Sequence, residues 1–144
     1  DDEIDLKAVA EDCKERLTQQ AEKRGIRINV SGESEIITGS RTEITELIYN
    51  LVDNAIKYNR ENGNIEIVIS EKKLIVTDTG LGIPHESIPR IFERFYRIDK
   101  SRSRAKGGTG LGLSIVRHIA ERHGAKIDVE STVGVGTTIS VKFR

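Results

Sequence analysis

Ile44, Leu47, Ile48, Leu51, Val52, Ala55 and Ile56 recur at helical spacing directly behind Ser40-Arg41-Thr42-Glu43, and this series constrains the fold more than any other stretch of the chain. The four-residue start has the capping-box pattern, in which the Ser and Glu side chains satisfy amide donors left open at a helix start. At about 100° per residue the apolar side chains fill one broad arc, so the helix must lie on a core. Asn50, Asn54 and Lys57 fall within roughly 60° of one another on the border of that arc, and border residues can look into a cleft. Asn50 and Asn54 are one turn apart, so their amide oxygens can reach a common hard cation such as Mg²⁺, which accepts few protein ligands when phosphates and water supply the rest. Lys57 could then offset phosphate charge. An ordinary solvated helix edge would show the same residues, and Asp53, further round, reads as a surface side chain.

The remaining composition narrows the class. A chain of 144 residues suits a single domain with a real core, and 13 Gly, 2 Pro and 32% charged residues fit a soluble globular protein. No apolar run is long enough to cross a bilayer and no signal-peptide pattern is present, so a cytoplasmic location is expected. Net charge is zero, which removes a global basic footprint for nucleic acid. One dense patch remains: Arg97, Lys100, Arg102, Arg104 and Lys106 face only Asp99, interleaved with Ser101, Ser103 and Ala105, and this reads as a mobile cationic loop. The single cysteine, Cys13, excludes an internal disulfide and sits on an i, i+4 stripe with Val9, Leu17 and Ala21, as a packed thiol would. The chain has no methionine, so a piece of a longer protein is expected.

Elsewhere the apolar periods alternate between helix and strand without a strict βαβ repeat. A short strand at Ile4-Asp5-Leu6 leads into a helix reaching about Arg24, which Gly25 stops. Ile26, Ile28 and Val30 alternate as a strand, and 34–38 can add another before the central helix. Asn62-Gly63 marks a turn, after which Ile65, Ile67 and Ile69, and then 74–78, form an antiparallel hairpin across Glu71-Lys72-Lys73. A last helix runs to His123 with Ile115 and Ile119 inward and Gly124 as its stop. Two final strands carry Ile127 and Val129, then Ile139, Val141 and Phe143, across a turn holding Gly134 and Gly136. The expected fold class is α+β: a two-layer sandwich with a mixed, mainly antiparallel sheet covered on one face by helices.

Two glycine segments need a physical reason. Asp78 ends a strand and is followed by Gly80 and Gly82, which let the backbone turn tightly and approach a flat ligand; a carboxylate there can accept from an exocyclic amine such as that of adenine. Gly108-Thr109-Gly110-Leu111-Gly112 opens a helix, where free amides and the positive dipole end favour a phosphate. The segment lacks the Gly-Lys-Ser/Thr ending of a P-loop and follows a cationic loop rather than a strand, unlike a dinucleotide fingerprint. Singly, each has a bland alternative, a common turn or a simple helix start. Their coincidence and order describe a nucleotide site.

Over nearly its whole length the chain resembles the catalytic and ATP-binding domain of bacterial sensor histidine kinases, within the Bergerat-fold ATPase superfamily. Asn50-Leu51-Val52-Asp53-Asn54-Ala55-Ile56-Lys57-Tyr58 looks like the N box, and Asp78-Thr79-Gly80-Leu81-Gly82-Ile83 like the first glycine box. Ile91-Phe92-Glu93-Arg94-Phe95-Tyr96-Arg97 looks like the F box, Gly108-Thr109-Gly110-Leu111-Gly112-Leu113 like the second glycine box, and Gly134-Val135-Gly136-Thr137 like the last glycine segment. The resemblance implies ATP and Mg²⁺ as cofactors. Asn54 would be the principal metal ligand with Asn50 assisting, Lys57 would approach the phosphates, Tyr58 would pack beside the adenine and Asp78 would bind its amine. Gly80, Gly82, Ile83 and Thr137 would line the base site, and Gly108, Thr109, Gly110, Leu111 and Gly112 would frame the phosphates. Arg97 and the loop to Lys106 would form a lid, with Asn50, Lys57 and Arg97 as the catalytic set. Phe92, Phe95 and Tyr96 would anchor the lid and offer a docking surface, with core packing an equal alternative for Phe92.

Hydrolytic relatives such as gyrase-like ATPases typically place Glu where this chain has Asn50, and an amide cannot activate water as a carboxylate can, so phosphoryl transfer is favoured over hydrolysis. Glu46, one turn earlier, reads as a surface residue or a polar helper. No Ser-His-Glu-type acceptor box occurs; His85, His118 and His123 read as structural or solvated. The expectation is therefore one catalytic domain over 1–144, with the dimerisation and phosphoacceptor domain of the same parent protein as partner. A response regulator would be reached through the full-length kinase. The parent would be a homodimer that could be membrane-anchored, and this piece a monomer. Two other readings stay open: a stand-alone protein-serine kinase and anti-sigma regulator of the same fold, or a noncatalytic nucleotide-sensing module.

Overall fold

A computed structural model describes residues 1–96 and 112–144. The elements follow in the order β1 Asp2–Asp5, α1 Leu6–Glu22, β2 Arg27–Gly32, β3 Ile36–Gly39, α2 Arg41–Lys57, β4 Asn64–Ser70, β5 Lys73–Asp78, a 3-10 turn His85–Arg90, α3 Gly112–Arg122, β6 Lys126–Thr132 and β7 Gly136–Lys142.

Five strands form one sheet in the order β2-β4-β5-β7-β6, in which β2 and β4 run parallel and every other pair antiparallel. A separate antiparallel pair, β1 with β3, places Ile4 opposite Ile37. Alternation along the main strands sends Ile28, Ile65, Ile67, Ile69, Leu74, Val76, Ile139 and Val141 to one buried face. That face carries Leu17 and Cys13 of α1, the whole apolar arc of α2, and Val116 and Ile119 of α3 in a single core. The opposite face shows Glu66, Asp128 and Glu130 to solvent, so the expected two-layer architecture is the one observed. Burial pushes the Cys13 thiol up to about 11, as befits a packed, unreactive group.

Element boundaries were set by side chains that periodicity does not register. Leu6 is helical rather than the end of β1 because the Asp5 carboxylate accepts from the amides of Lys7 at 3.0 Å and Ala8 at 3.3 Å, which starts α1 at once. Val116 is fully buried on α3, whereas Ile115 is only half-buried at the edge of the same core. The β4–β5 hairpin turns on Glu71 and Lys72, both in the left-handed region at φ 53° and 59°, and Lys73 already belongs to β5.

The three helices end in two ways. Gly25 (φ 68°) and Gly124 (φ 65°) follow α1 and α3, and the next amides, of Ile26 and Ala125, return to carbonyls of the last turn at 3.0 and 2.9 Å. Helix α2 has no such glycine. Its end is closed by the Arg24 guanidinium, which donates to the carbonyls of Ile56, Lys57 (3.3 Å) and Asn59 (2.5 Å).

Candidate nucleotide site

The start of α2 is purely structural. Ser40 Oγ accepts from the Glu43 amide at 3.2 Å, the expected half of the capping box. The reciprocal half is absent: the Ser40 amide donates instead to His123 Nε2 at 3.1 Å, and Glu43 pairs with Arg122 at 3.1 Å. With Nε2 accepting, the His123 Nδ1–H donates to the Ile119 carbonyl at 2.8 Å, so this histidine is a buried connector between α2 and α3. His85 and His118 are exposed.

On the border of α2, Asn50 and Asn54 are half-buried, as the wheel predicts. Asn50 Nδ2 donates back to the Glu46 carbonyl at 2.8 Å, which turns Oδ1 outward. A Cβ built on Gly112 would lie 3.4 Å from that oxygen, an ordinary contact distance, so the first described residue of α3 lies beside Asn50. Among the described residues no group of three or more His, Cys, Asp or Glu side chains could hold a metal, and two amide oxygens alone would hold one weakly. Such a donor set suits a hard cation that shares most of its coordination with phosphates and water.

Lys57 is not free in this arrangement. Its ammonium lies 3.0 Å from Asp53 Oδ2, and Asp53 Oδ1 accepts from Gln20 of α1 at 3.1 Å. Asp53 is therefore no surface residue; it is half-buried and joins α1, α2 and the lysine.

Asp78 closes β5 with its carboxylate largely buried. The amides of Gly80 at 2.8 Å and Thr137 at 3.2 Å both donate to Oδ1, which among the described residues leaves Oδ2 for another donor. Burial pushes the acid up to about 6 against the pull of those two amides. Around it the glycines answer to the protein's own backbone rather than to a ligand. A Cβ on Gly80 would come within 2.5 Å of the Tyr58 carbonyl, one on Gly82 (φ 76°) within 2.2 Å of the Thr132 carbonyl, and one on Gly136 within 2.0 Å of the Asp78 carbonyl. The Tyr58 carbonyl also accepts from the Leu81 amide at 3.1 Å, tying the N-box end to the glycine box. The Ile83 amide donates to Ser131 Oγ at 2.8 Å, and that hydroxyl contacts Thr137 Oγ1 at 2.7 Å.

Four residues of this site escaped sequence reasoning. Asn59, 1% exposed, accepts from Thr79 Oγ1 at 3.0 Å and donates to the Asn64 carbonyl at 3.2 Å. Ser131 lies opposite Thr137 in the β6–β7 register, Arg60 reaches two loops, and Arg24 closes α2. None sits in an apolar pattern. The one local signal was the Asn62-Gly63 turn, which folds the residues after α2 back onto the end of β5.

In the aromatic segment Ile91 is buried, Tyr96 donates to Ser87 Oγ at 3.0 Å and packs 4.6 Å from the Arg90 guanidinium, and Phe92 is half-buried outside the main core. Phe95 is 61% exposed, so the aromatics divide between anchoring and display. Arg97, the cationic loop to Lys106, and Gly108, Thr109, Gly110 and Leu111 lie outside the described residues.

A helix edge of amide oxygens, a buried carboxylate with one open oxygen and a glycine-opened helix facing the first define an ATP-binding domain of the kinase type. Residues 39–144 match the family described as histidine kinase-, DNA gyrase B- and HSP90-like ATPases, and the chain belongs to it. It is 40% identical over 149 residues to the sensor histidine kinase YkoH of Bacillus subtilis, covering 98% of this chain and 32% of that protein. It is 36% identical to the sensor protein SrrB of Staphylococcus aureus, covering 96% of this chain and 24% of that protein. The fold superposes on the mycobacterial sensor histidine kinase MprB with a TM-score of 0.83 at 26% identity, over 97% of this chain and 94% of the other. With the catalytic domain of histidine kinase ThkA the TM-score is 0.81 at 30% identity, over 99% and 93%. The chain thus corresponds to the catalytic domain of such kinases and spans a third or less of these curated relatives. Among the described residues no helix is long and apolar enough to cross a membrane.

Proposed function

We propose that the chain binds Mg-ATP and transfers the γ-phosphoryl group to a histidine on a separate dimerisation domain of the same parent protein, in two-component signalling. The observation that carries this reading is Asp78: a largely buried carboxylate with both backbone donors on one oxygen, walled by Thr137 and the glycine-box backbone, suits the exocyclic amine of adenine. Asn54 and Asn50 would hold the Mg²⁺, which when bound offsets the charge of the phosphates. Lys57 leaves Asp53 and meets a phosphate oxygen. Gly112, the first described residue of α3, lies beside Asn50, which suits a phosphate-binding role for the glycine segment before it.

Transfer follows from positioning. The acceptor imidazole nitrogen attacks the γ-phosphorus, the P–O bond to the β-phosphate breaks and ADP leaves with the electron pair. Asn50 supplies no base to activate water, which favours the imidazole as nucleophile. The same reading makes the parent a homodimeric sensor whose catalytic part works in the cytoplasm beside a response regulator, with no nucleic-acid partner.

The test is to mix the chain with its purified acceptor-helix domain and γ-labelled ATP. Acid-labile label on a histidine of that domain, dependent on Mg²⁺ and lost with EDTA, is expected. Tight ATP binding without any transfer would leave a nucleotide-sensing module instead. Asp78→Asn should weaken ATP and ADP alike and narrow the preference over GTP. Affinity for both should also fall as pH drops through about 6, when the Asp78 carboxylate takes up a proton on its open oxygen.

A further inference from the structure

Beside the Asp78 carboxylate two loops run side by side: the 79–83 turn after β5 and the 132–136 turn between β6 and β7. Gly82 passes close against the Thr132 backbone, and the Gly134 amide donates to the Leu81 carbonyl at 2.8 Å. Arg60, two residues beyond the C-cap of α2, reaches across both. Its Nε donates to the Thr79 carbonyl at 2.6 Å and its Nη2 to the Gly134 carbonyl at 2.6 Å. Directly beneath, Asn59 holds Thr79 Oγ1 at 3.0 Å, while Thr79 Oγ1 accepts from the Asn64 amide at 2.9 Å. Thr79 is the neighbour of Asp78, and Gly134 lies three residues from Thr137, whose amide meets the Asp78 carboxylate.

We infer that Arg60 is a positioning residue for base recognition, its planar fork setting the distance between the glycine-box turn and the β6–β7 turn that flank Asp78. This rests on the reading that Asp78 receives the adenine. A guanidinium suits the role because its donors hold a fixed angle and can serve two carbonyls at once, which a single ammonium on a flexible stem does not do reproducibly. Arg60 touches neither base nor phosphate in this scheme. Its effect falls on how well Asp78 Oδ2 and the Thr137 wall are placed for the ring, and so on base selectivity more than on transfer.

The experiment is calorimetric titration of the chain with ATP, ADP and GTP, alongside thermal melting, for wild type, Arg60→Ala, Arg60→Lys and a control, Arg41→Ala. Arg41 is a fair control because it is exposed and donates to a backbone carbonyl, that of Glu3 at 2.9 Å, at the other end of α2. In Arg60→Ala the Kd for ATP and ADP should rise by about tenfold, the weakening of about one net hydrogen bond between a misplaced Asp78 and the adenine amine, with GTP changing by less than about twofold. Arg60→Lys should fall between the two, and Arg41→Ala should match wild type in binding. Unchanged ATP affinity in a folded Arg60→Ala, or an equal loss for ATP and GTP, overturns the assignment. A wild-type chain without preference for ATP over GTP would instead bring down the adenine reading itself.

Discussion

The two ends of α2 are built to opposite specifications. At the Ser40 end the capping groups meet partners from the scaffold: Ser40 Oγ with the Glu43 amide, the Ser40 amide with His123, Glu43 with Arg122. At the Tyr58 end the scaffold bonds go to the backbone, through Arg24, Asn59 and Arg60. Lys57 is held by Asp53, but among the described residues two groups suited to a ligand keep open valence toward that side: Asn50 at Oδ1 and Asp78 at Oδ2. The contrast shows how one helix serves both stability and function. Its apolar arc is continuous, and only the satisfaction of polar groups distinguishes the end that holds the fold from the end proposed to meet a nucleotide.

Breaking the comparison at its functional extreme should give the largest effect. Asn54→Ala is expected to lower transfer to the acceptor domain by at least about 100-fold while leaving the melting free energy within about 0.5 kcal/mol, because a half-buried border residue contributes little to the core. Unchanged Mg²⁺ dependence in that folded variant would remove Asn54 from the ligand set.

Asp78→Asn probes the same end through stability. Burial holds the folded acid near 6, above its ordinary value of 3.8, so the stability that goes with the neutral acid is complete below pH 3.8 and is lost as pH rises through about 6 and the buried carboxylate forms. The neutral amide escapes that loss and can still accept both backbone amides. The variant should therefore be more stable than wild type by up to about 3 kcal/mol at pH 7.5, with the gain vanishing below about pH 4, even as nucleotide binding fails. Denaturant melts across pH 3.5–8 check both the sign and the window. A destabilised variant at pH 7.5 would contradict the open-oxygen geometry.

A smaller loss is expected at Arg24. Replacing it with Met keeps the stem and removes three contacts to the end of α2, and a loss of about 1–2 kcal/mol should appear together with weaker ATP binding, since Lys57 and Tyr58 depend on that end. Ser40→Ala, at the structural end, should lose about 1 kcal/mol of stability with nucleotide affinity unchanged. If Ser40→Ala altered ATP affinity as much as Arg24→Met did, the division between the two ends would be wrong.

Residues whose role follows from local spacing were legible from the sequence. The arc of α2, the alternation of Ile65, Ile67 and Ile69, and the glycine stops at Gly25 and Gly124 all appear where period and turn chemistry place them, because 3.6- and 2-residue repeats act over a few neighbours. The border position of Asn50 and Asn54 is of the same kind. Tertiary structure alone decided which partner each polar group takes. His123 displaces Glu43 at the Ser40 amide from 83 positions away, Thr137 reaches Asp78 across 59, and Arg60 reaches Gly134 across 74. A hydrogen bond needs two groups within about 3 Å, and that proximity exists only after the sheet has formed and the helices have packed on it. The sequence by itself therefore determined which side chains would be apolar cargo of the core and which could carry ligand chemistry. Packing determined which of the latter stay open among the described residues, and so set the asparagines and Asp78 in the arrangement on which the proposed nucleotide site rests.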